Sequence, residues 1–326
     1  MKKFLSLILV AVMVAGMPAA CSSGGETQER LPNLMVMSGP TGVGAAKLLE
    51  EYHAGSGSQL LASATVVADN EAVTSALING EADIAAIATN MAATLYQKLD
   101  GDIQVLAVNT MGVLYILEKG SSVSSMEDLR GKTIYATGKG ANPEYILEYL
   151  LRSNNISADE VDIQWMTPQE VTANMTMATE GICMLPVPAA TALMIKDPQV
   201  RQAISLSQAW ENLGNGPLAQ GCIVARKSYV QANPQAVAAF LEAYEASISY
   251  IKAEENRAQA AELVAKYGIT GNAAIAARAI DQCNLTFVAG QQMKKMLESF
   301  FAVMHAANPA SIGGGLPEDD FYYGLG

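Results

Sequence analysis

The sequence predicts an α/β protein built of two units, each with parallel strands, followed by a helical C-terminal region. Three observations lead there. Short strand-like runs alternate with amphipathic helical segments before residue 110 and again after it. Residues 84–88, Ile-Ala-Ala-Ile-Ala, are uniformly apolar, and a strand without polar alternation is buried on both faces, as in a parallel sheet covered by helices. Once the N-terminal leader is set aside, about 300 residues remain, more than one hydrophobic core usually serves, so two lobes are expected.

In chain order, Lys2 and Lys3 precede an apolar run over residues 4–17 that ends in small residues and Cys21. The run is short for a bilayer span, and a small-residue cleavage region follows it, so residues 1–20 read as an export signal. Cys21, followed by Ser22-Ser23-Gly24-Gly25, resembles the boundary of a bacterial lipoprotein signal. That resemblance implies a processed chain whose N-terminal Cys21 carries lipid, palmitate among its acyl chains. Residues 21–30 then read as anchor and tether, being small, polar and charged without apolar periodicity.

Beyond the tether, residues 34–37 form an apolar strand, and after Ser38-Gly39-Pro40-Thr41-Gly42 the residues Ala45, Leu48, Leu49 and Tyr52 share one helix face. Residues 62–68 read as a strand rich in Val and Thr, followed by Asp69 as a helix cap with Val73 and Leu77 on one face. The second unit repeats the scheme. Residues 133–136 form a strand, and Asn142-Pro143 opens a helix, Asn142 as its cap, with the stripe Ile146, Leu147, Leu150 and Leu151. After a strand over 161–166, Thr167-Pro168-Gln169-Glu170 supplies a cap, a proline at the first helical position and a carboxylate at the third. Residues 182–185 form another buried strand, ending at Pro186-Val187-Pro188. From Asn233-Pro234 onward the chain turns helical, with Val237, Phe240, Leu241, Tyr244, Ile248 and Ile251 on one face. The aromatics of the terminal segment, residues 313–323, are expected to dock on the first unit and hold the chain end.

Composition excludes several function classes. The formal charge of -12 becomes -14 once Lys2 and Lys3 leave with the signal, and no basic stripe with interleaved aromatics is present, so nucleic acid is not a partner. Besides Cys21 the cysteines are Cys183, Cys222 and Cys283, without CxxC spacing, and they read as buried thiols rather than as a disulfide framework or zinc knuckle. The 2 histidines, His53 and His305, lie too far apart in sequence for a histidine-rich metal motif; a carboxylate site for a hard cation stays open. Gly42-Val43-Gly44-Ala45-Ala46-Lys47 has Lys47 where a dinucleotide fingerprint needs its third Gly or Ala, and Leu48 where a P-loop needs Ser or Thr. No Gly-x-Ser-x-Gly elbow occurs. No cofactor or catalytic residue is expected.

Three phrases carry a resemblance: Ala76-Leu77-Ile78-Asn79-Gly80-Glu81-Ala82-Asp83-Ile84, Met126-Glu127-Asp128-Leu129-Arg130-Gly131-Lys132-Thr133-Ile134, and Asn233-Pro234 before a long amphipathic helix. In their order and spacing they resemble the extracytoplasmic solute-binding proteins of ABC importers, in the branch of receptors for sulfonates, taurine, nitrate and the thiamine pyrimidine precursor. The resemblance implies the type II periplasmic-binding fold, two α/β lobes joined by two crossover strands that close on a ligand. It places lobe 1 at residues 31–110 and 225–326 and lobe 2 at 111–224, with crossovers near 109–117 and 218–224. It further implies a monomer outside the cell membrane, anchored by its N-terminal lipid, that delivers a small molecule to a membrane permease. A receptor serving a membrane signalling protein is the alternative. An enzyme on the same fold, similar to the yeast-type pyrimidine synthases, is a third reading, although Cys183 stands alone without the cysteine cluster and histidine of those enzymes.

In open α/β sheets, ligands collect beyond the carboxyl ends of strands, where loops lead into helix N-termini. The candidate ligand residues are therefore Ser38, Gly39, Pro40 and Thr41; Thr89, Asn90 and Met91; Thr137, Gly138, Lys139 and Asn142; Thr167; and Pro186. Lys139 suits an anion, whereas Glu144 already complements the helix start and opposes one. Branch members commonly carry an acid where this chain has Val187. A sulfonate-like anion and a pyrimidine-type or other small polar organic molecule held by neutral hydrogen bonds are the two ligand chemistries. The anchor yields the first prediction: Cys21→Ala releases the protein from membranes, and a mutant that still pellets with membranes after a high-salt wash refutes it.

Overall fold

The computed structural model describes residues 29–55, 60–68 and 70–325. The export signal, Cys21 and the Asp69 cap lie outside the described residues. Eleven strands are present among them: β1 (Asn33–Met37), β2 (Ser63–Val67), β3 (Ile84–Ala88), β4 (Ile103–Met111), β5 (Leu114–Lys119), β6 (Thr133–Ala136), β7 (Asp162–Trp165), β8 (Gly181–Pro186), β9 (Val200–Ser205), β10 (Ala219–Arg226) and β11 (Leu285–Val288).

They form two sheets on one plan. The larger runs β11-β4-β10-β3-β1-β2 and the smaller β7-β6-β8-β5-β9. In the larger sheet β1 lies parallel between β2 and β3, and in the smaller β6 lies parallel between β7 and β8. Next to each parallel triplet comes an antiparallel strand, β10 beside β3 and β5 beside β8. Its direction is reversed because the chain enters it from the other sheet rather than through a helical crossover within the same one. The outward crossing is Gly112-Val113, between β4 and β5, and the return ends at Ala219, ahead of the boundary expected after residue 224.

Burial follows the sequence periodicity. Ile84, Ala85, Ala86 and Ile87 of β3 are fully buried, as a strand covered on both faces requires. Helix Ala46–Ala54 buries Leu48 and Leu49, and helix Pro234–Lys252 buries Val237, Phe240, Tyr244, Ile248 and Ile251, with Leu241 half-buried at the edge of the stripe. Two apolar clusters result, and each combines both sheets: one joins Ile87 and Val108 to Ile134 and Leu147, the other Val36 and Ile223 to Leu117 and Leu185. Cys183, Cys222 and Cys283 are free and buried. No helix among the described residues is long and apolar enough to cross a membrane.

Several details differ from the sequence reading. Asn142 is the first helical residue of Asn142–Ser153, not its cap; Ala141 holds the cap position without a side-chain bond, which frees the Asn142 amide for other partners. Strands β4, β9 and β11 carry no signal that the periodicity argument singles out. Strand β11 interrupts the region expected to be helical, because this four-residue segment finds its ladder partners only on β4. Glu29 and Arg30, at the end of the expected tether, dock on the body: Glu29 accepts from Ala236 N at 2.6 Å, and Arg30 makes a fork with Asp83 at 2.7 and 2.6 Å. Thr167 does cap its helix, with Glu170 returning the bond.

The terminal aromatics dock as expected. Phe321 is fully buried between Tyr96 and Phe301, and Tyr323 N donates to Val105 O at 3.0 Å. Asp320 meets Lys227 and accepts from the Tyr96 hydroxyl at 2.6 Å. The Lys227 ammonium first, and the Tyr96 hydroxyl second, hold the Asp320 carboxyl below its ordinary value. Phe321→Ala should therefore cost about 3–5 kcal/mol of unfolding free energy, read as a lowered urea midpoint, since the ring fills a closed site against two other aromatics. A midpoint unchanged from wild type would refute the docking of the tail.

Candidate functional site

Because β1, β2, β3, β6, β7 and β8 point their carboxyl ends at the space between the sheets, the loops that follow them face one another there. They enclose a cleft of about 660 Å³. The two walls correspond. After β1 comes Ser38-Gly39 and after β6 comes Thr137-Gly138, and both pairs line the cleft. Gly39 and Gly138 have φ of 91° and 92°, a left-handed conformation that turns the chain sharply into the next helix at no side-chain cost. After β2 the wall carries Asn70, and after β7 it carries Pro168 and Gln169.

Polarity without charge characterises the lining. Ser38, Thr41, Thr110, Thr137, Asn142 and Gln220 contribute hydroxyl and amide groups, and Asn70, Gln169 and Thr270 add more. Five prolines, Pro40, Pro143, Pro168, Pro186 and Pro188, with small residues such as Ala88 and Ala189, supply flat apolar surface. Among the described residues that line the cleft there is no Asp, Glu, Lys, Arg or His, and no aromatic ring. No group of His, Cys, Asp and Glu suited to a metal occurs among the described residues.

Of the residues expected from sequence, Ser38, Gly39, Pro40, Thr41, Thr137, Gly138, Asn142 and Pro186 are brought together in this wall. Thr89, Asn90, Met91, Lys139 and Thr167 are not part of it. Lys139 is exposed, its neighbouring Gly140 N donating to Glu144 Oε2 at 2.6 Å, and Thr167 is an exposed helix cap. Hydrogen bonds from the Thr167 backbone and hydroxyl hold the Glu170 carboxyl below its ordinary value. Met91 is half-buried against the core.

Thr89 and Asn90 are buried beneath a network that crosses from one sheet to the other. Asn142 Nδ2 donates to Thr89 Oγ1 at 3.0 Å and to Gln220 O at 2.9 Å, while Asn142 N donates to Asn90 Oδ1 at 3.1 Å. Thr89 Oγ1 in turn donates to Ala219 O at 2.8 Å, so it receives the Asn142 hydrogen as an acceptor. The amide orientation is thereby fixed, because a carbonyl such as Gln220 O accepts only. Asn142 Oδ1 has no protein partner. Gln220 Oε1 also accepts from Val113 N at 2.6 Å, tying the outward crossing to the start of β10. One layer behind, Asn109 Nδ2 donates to Thr41 O and to Tyr244 Oη, both at 3.0 Å, and so sets the loop after β1 on the long helix.

Sequence reasoning missed Asn70, Thr110, Gln169, Gln220 and the segment 268–271. Gln169 and Asn70 sit at helix starts after strands, a signal that was available. Thr110 and Gln220 lie on strands that cross between sheets, and the 268–271 loop reaches the cleft from the C-terminal helices, where Ile269 O accepts from Gly39 N at 3.0 Å. Only tertiary structure brings those to the site.

This architecture is the type II periplasmic-binding fold. The chain superposes on an ABC transporter structure from Parabacteroides distasonis with a TM-score of 0.75 at 22% identity, covering 91% of this chain and 99% of that one. For the periplasmic aliphatic sulphonate binding protein SsuA from Escherichia coli the TM-score is 0.70 at 15% identity, covering 90% and 91%. For the periplasmic nitrate-binding protein NrtA from Synechocystis PCC 6803 it is 0.61 at 16%, covering 87% and 83%. A sequence search of curated proteins returns no match. The NMT1/THI5-like family model matches residues 68–260, and the chain belongs to that family.

The network makes a test of its own. Asn142→Asp keeps the shape and replaces the donating Nδ2 by an oxygen facing Gln220 O and Thr89 Oγ1, at a site 1% exposed. Leaving these groups unpaired beside a buried charge should cost about 3 kcal/mol at pH 8. Burial and the facing carbonyl raise the folded-state pKa of the introduced carboxyl, so the penalty is complete above that value and fades as pH falls toward its unfolded value of about 3.9. Urea unfolding of mutant and wild type at pH 8 and pH 5 should show the gap narrowing at pH 5. A gap independent of pH would refute the donor role.

Proposed function

We propose that this protein is the solute receptor of an ABC importer, held outside the cell membrane through lipid on Cys21. It captures a small polar organic solute between its lobes and delivers it to a membrane permease. The observation that carries this reading is the cleft of about 660 Å³, walled by corresponding loops of two sheets that the chain joins by two crossings among the described residues. Such a pair of lobes can open and close, and a ligand that touches both walls favours the closed form by its differential affinity. The sulphonate- and nitrate-binding proteins among the structural neighbours support the same reading by their shared fold.

The reading is of a binding protein and not of an enzyme. Cys183, the one residue singled out for a synthase-like reaction, is fully buried, and burial pushes its thiol up to about 12, away from the thiolate that nucleophilic chemistry requires. The candidate contacts are Ser38, Thr41, Thr137 and Asn142 together with Asn70, Gln169 and Gln220.

A thermal-shift screen of sulfonates, nitrate, pyrimidines, flavins and amino acids tests the function, because a ligand at 100 times its dissociation constant adds about 2.7 kcal/mol to the native state. With the solute so found, small-angle scattering should show a smaller radius of gyration at saturation. Thr137→Ala should weaken binding, by about fivefold for one lost hydrogen bond of roughly 1 kcal/mol, whereas Lys139→Met should leave the affinity within twofold. An unchanged radius at saturation, or insensitivity to Thr137→Ala, would count against the proposal.

A further inference from the structure

Resting on the receptor reading, we infer that the cleft rejects oxyanions and takes a solute that is uncharged at neutral pH, and that Glu144 and Glu170 enforce this. Helix starts are the parts of an α/β cleft that ordinarily attract anions, through free N–H groups and a fractional positive charge of about half an elementary charge. Here the helices that put residues into the wall from β2, β6 and β7 are Asn70–Asn79, Asn142–Ser153 and Pro168–Met177, and each carries its own acid in the first turn: Glu71, Glu144 and Glu170.

Two of these acids are seen in place. Glu144 Oε2 accepts from Gly140 N, within the loop that supplies Thr137, Gly138 and Asn142 to the cleft. Glu170 Oε2 accepts from Thr167 N and from Thr167 Oγ1, both at 2.8 Å, beside Pro168 and Gln169. A full negative charge on a half-charge of opposite sign leaves each helix start net negative by about half an elementary charge. Among the described residues no cation lines the cleft to offset it. The helices Pro40–Val43, Thr89–Lys98, Ala189–Lys196 and Ala273–Ala279 begin beside the cleft without an acid, so backbone donors are present there, and the like charge seen in place is confined to the wall from β6 and β7, where Glu144 and Glu170 cover both helix starts. A like charge just behind the wall is the repulsive element by which a site refuses one ligand class while keeping its hydrogen bonds for another. With no acid among the described residues of the lining to pair a cation, the solute that fits is neutral and reads the hydroxyls and amides.

The test uses full-length protein and simple anions, so it does not wait for the natural solute. Nitrate, sulfate and methanesulfonate are titrated calorimetrically into wild type and into Glu144→Gln/Glu170→Gln, with sodium chloride at matched ionic strength as control. Glutamine keeps the acceptor oxygen in both caps while removing the charge. Wild type should bind none of the three with a dissociation constant below millimolar, and the double variant should bind at least one of them tenfold or more tighter than wild type. Micromolar binding of any of the three by wild type overturns the inference and leaves the receptor reading standing. Equal binding by both proteins overturns the role of the two glutamates. A receptor that captures no solute of any class in the thermal-shift screen fails the functional reading instead, which the anion titrations register separately.

Discussion

The Asn142 side chain gives both of its amide hydrogens to the opposite lobe, and its backbone N–H makes a third bond there. Most of what the cleft presents depends on this arrangement. In a buried setting a hydrogen bond is electrostatically stronger than in water and an unmet partner is costly, so a network of this kind holds few alternative geometries. Gln220 extends it, its carbonyl taking Asn142 and its side chain taking Val113 N, so the floor of the cleft and the outward crossing share one set of bonds. Asn109 does the same for the loop after β1 by holding Thr41 O. The hydroxyls and amides of the wall are thus supported from behind by other amides, which is how a neutral site keeps its groups in fixed positions.

Charge is distributed with the opposite logic. The chain is acidic as a whole, at -12, yet no ionised residue enters the cleft lining among the described residues. Its carboxylates stand one step back, at helix starts, where they satisfy N–H groups that would otherwise be open to a ligand. Lys139, flanked by two glycines and attractive as an anion handle in sequence, is exposed and is not among the lining residues. Among the described residues the lining therefore offers hydrogen-bonding groups and flat apolar surface in place of ionised side chains.

Both described chain ends are held on the larger sheet, away from the cleft. Arg30 pairs with Asp83, which immediately precedes β3, at the strand end opposite to the one that lines the cleft. Asp83 is 1% exposed and also accepts from Asn33 N at 2.9 Å, so the fork closes a buried carboxylate with three donors. At the other end, Phe321 and Tyr322 seal the edge near β4 while Asp319 reaches Lys294 at 2.6 Å.

How much of this was legible in the sequence follows from the range of the forces involved. Apolar runs, helical periodicity and cap spacing are local properties, so the strand at 84–88, the helix stripe at Ile146, Leu147, Leu150 and Leu151 and the Thr167 cap were readable directly. The fold class followed from their alternation, and eight of the candidate ligand residues stand in the cleft because loops at strand carboxyl ends share one edge by necessity. What sequence did not decide is where side chains go once two sheets meet. Asn142 reads locally as a cap, yet its partners lie 52, 53 and 78 positions away, and no local pattern encodes a bond of that span. The same holds for Thr110, Gln220 and the 268–271 loop, which reach the cleft through crossings and packing, and for β11, whose four residues become a strand only on β4. The sequence by itself determined the elements and their order; the tertiary structure decided which polar groups line the cleft, which bridge the two lobes, and that no ionised side chain stands in the lining among the described residues.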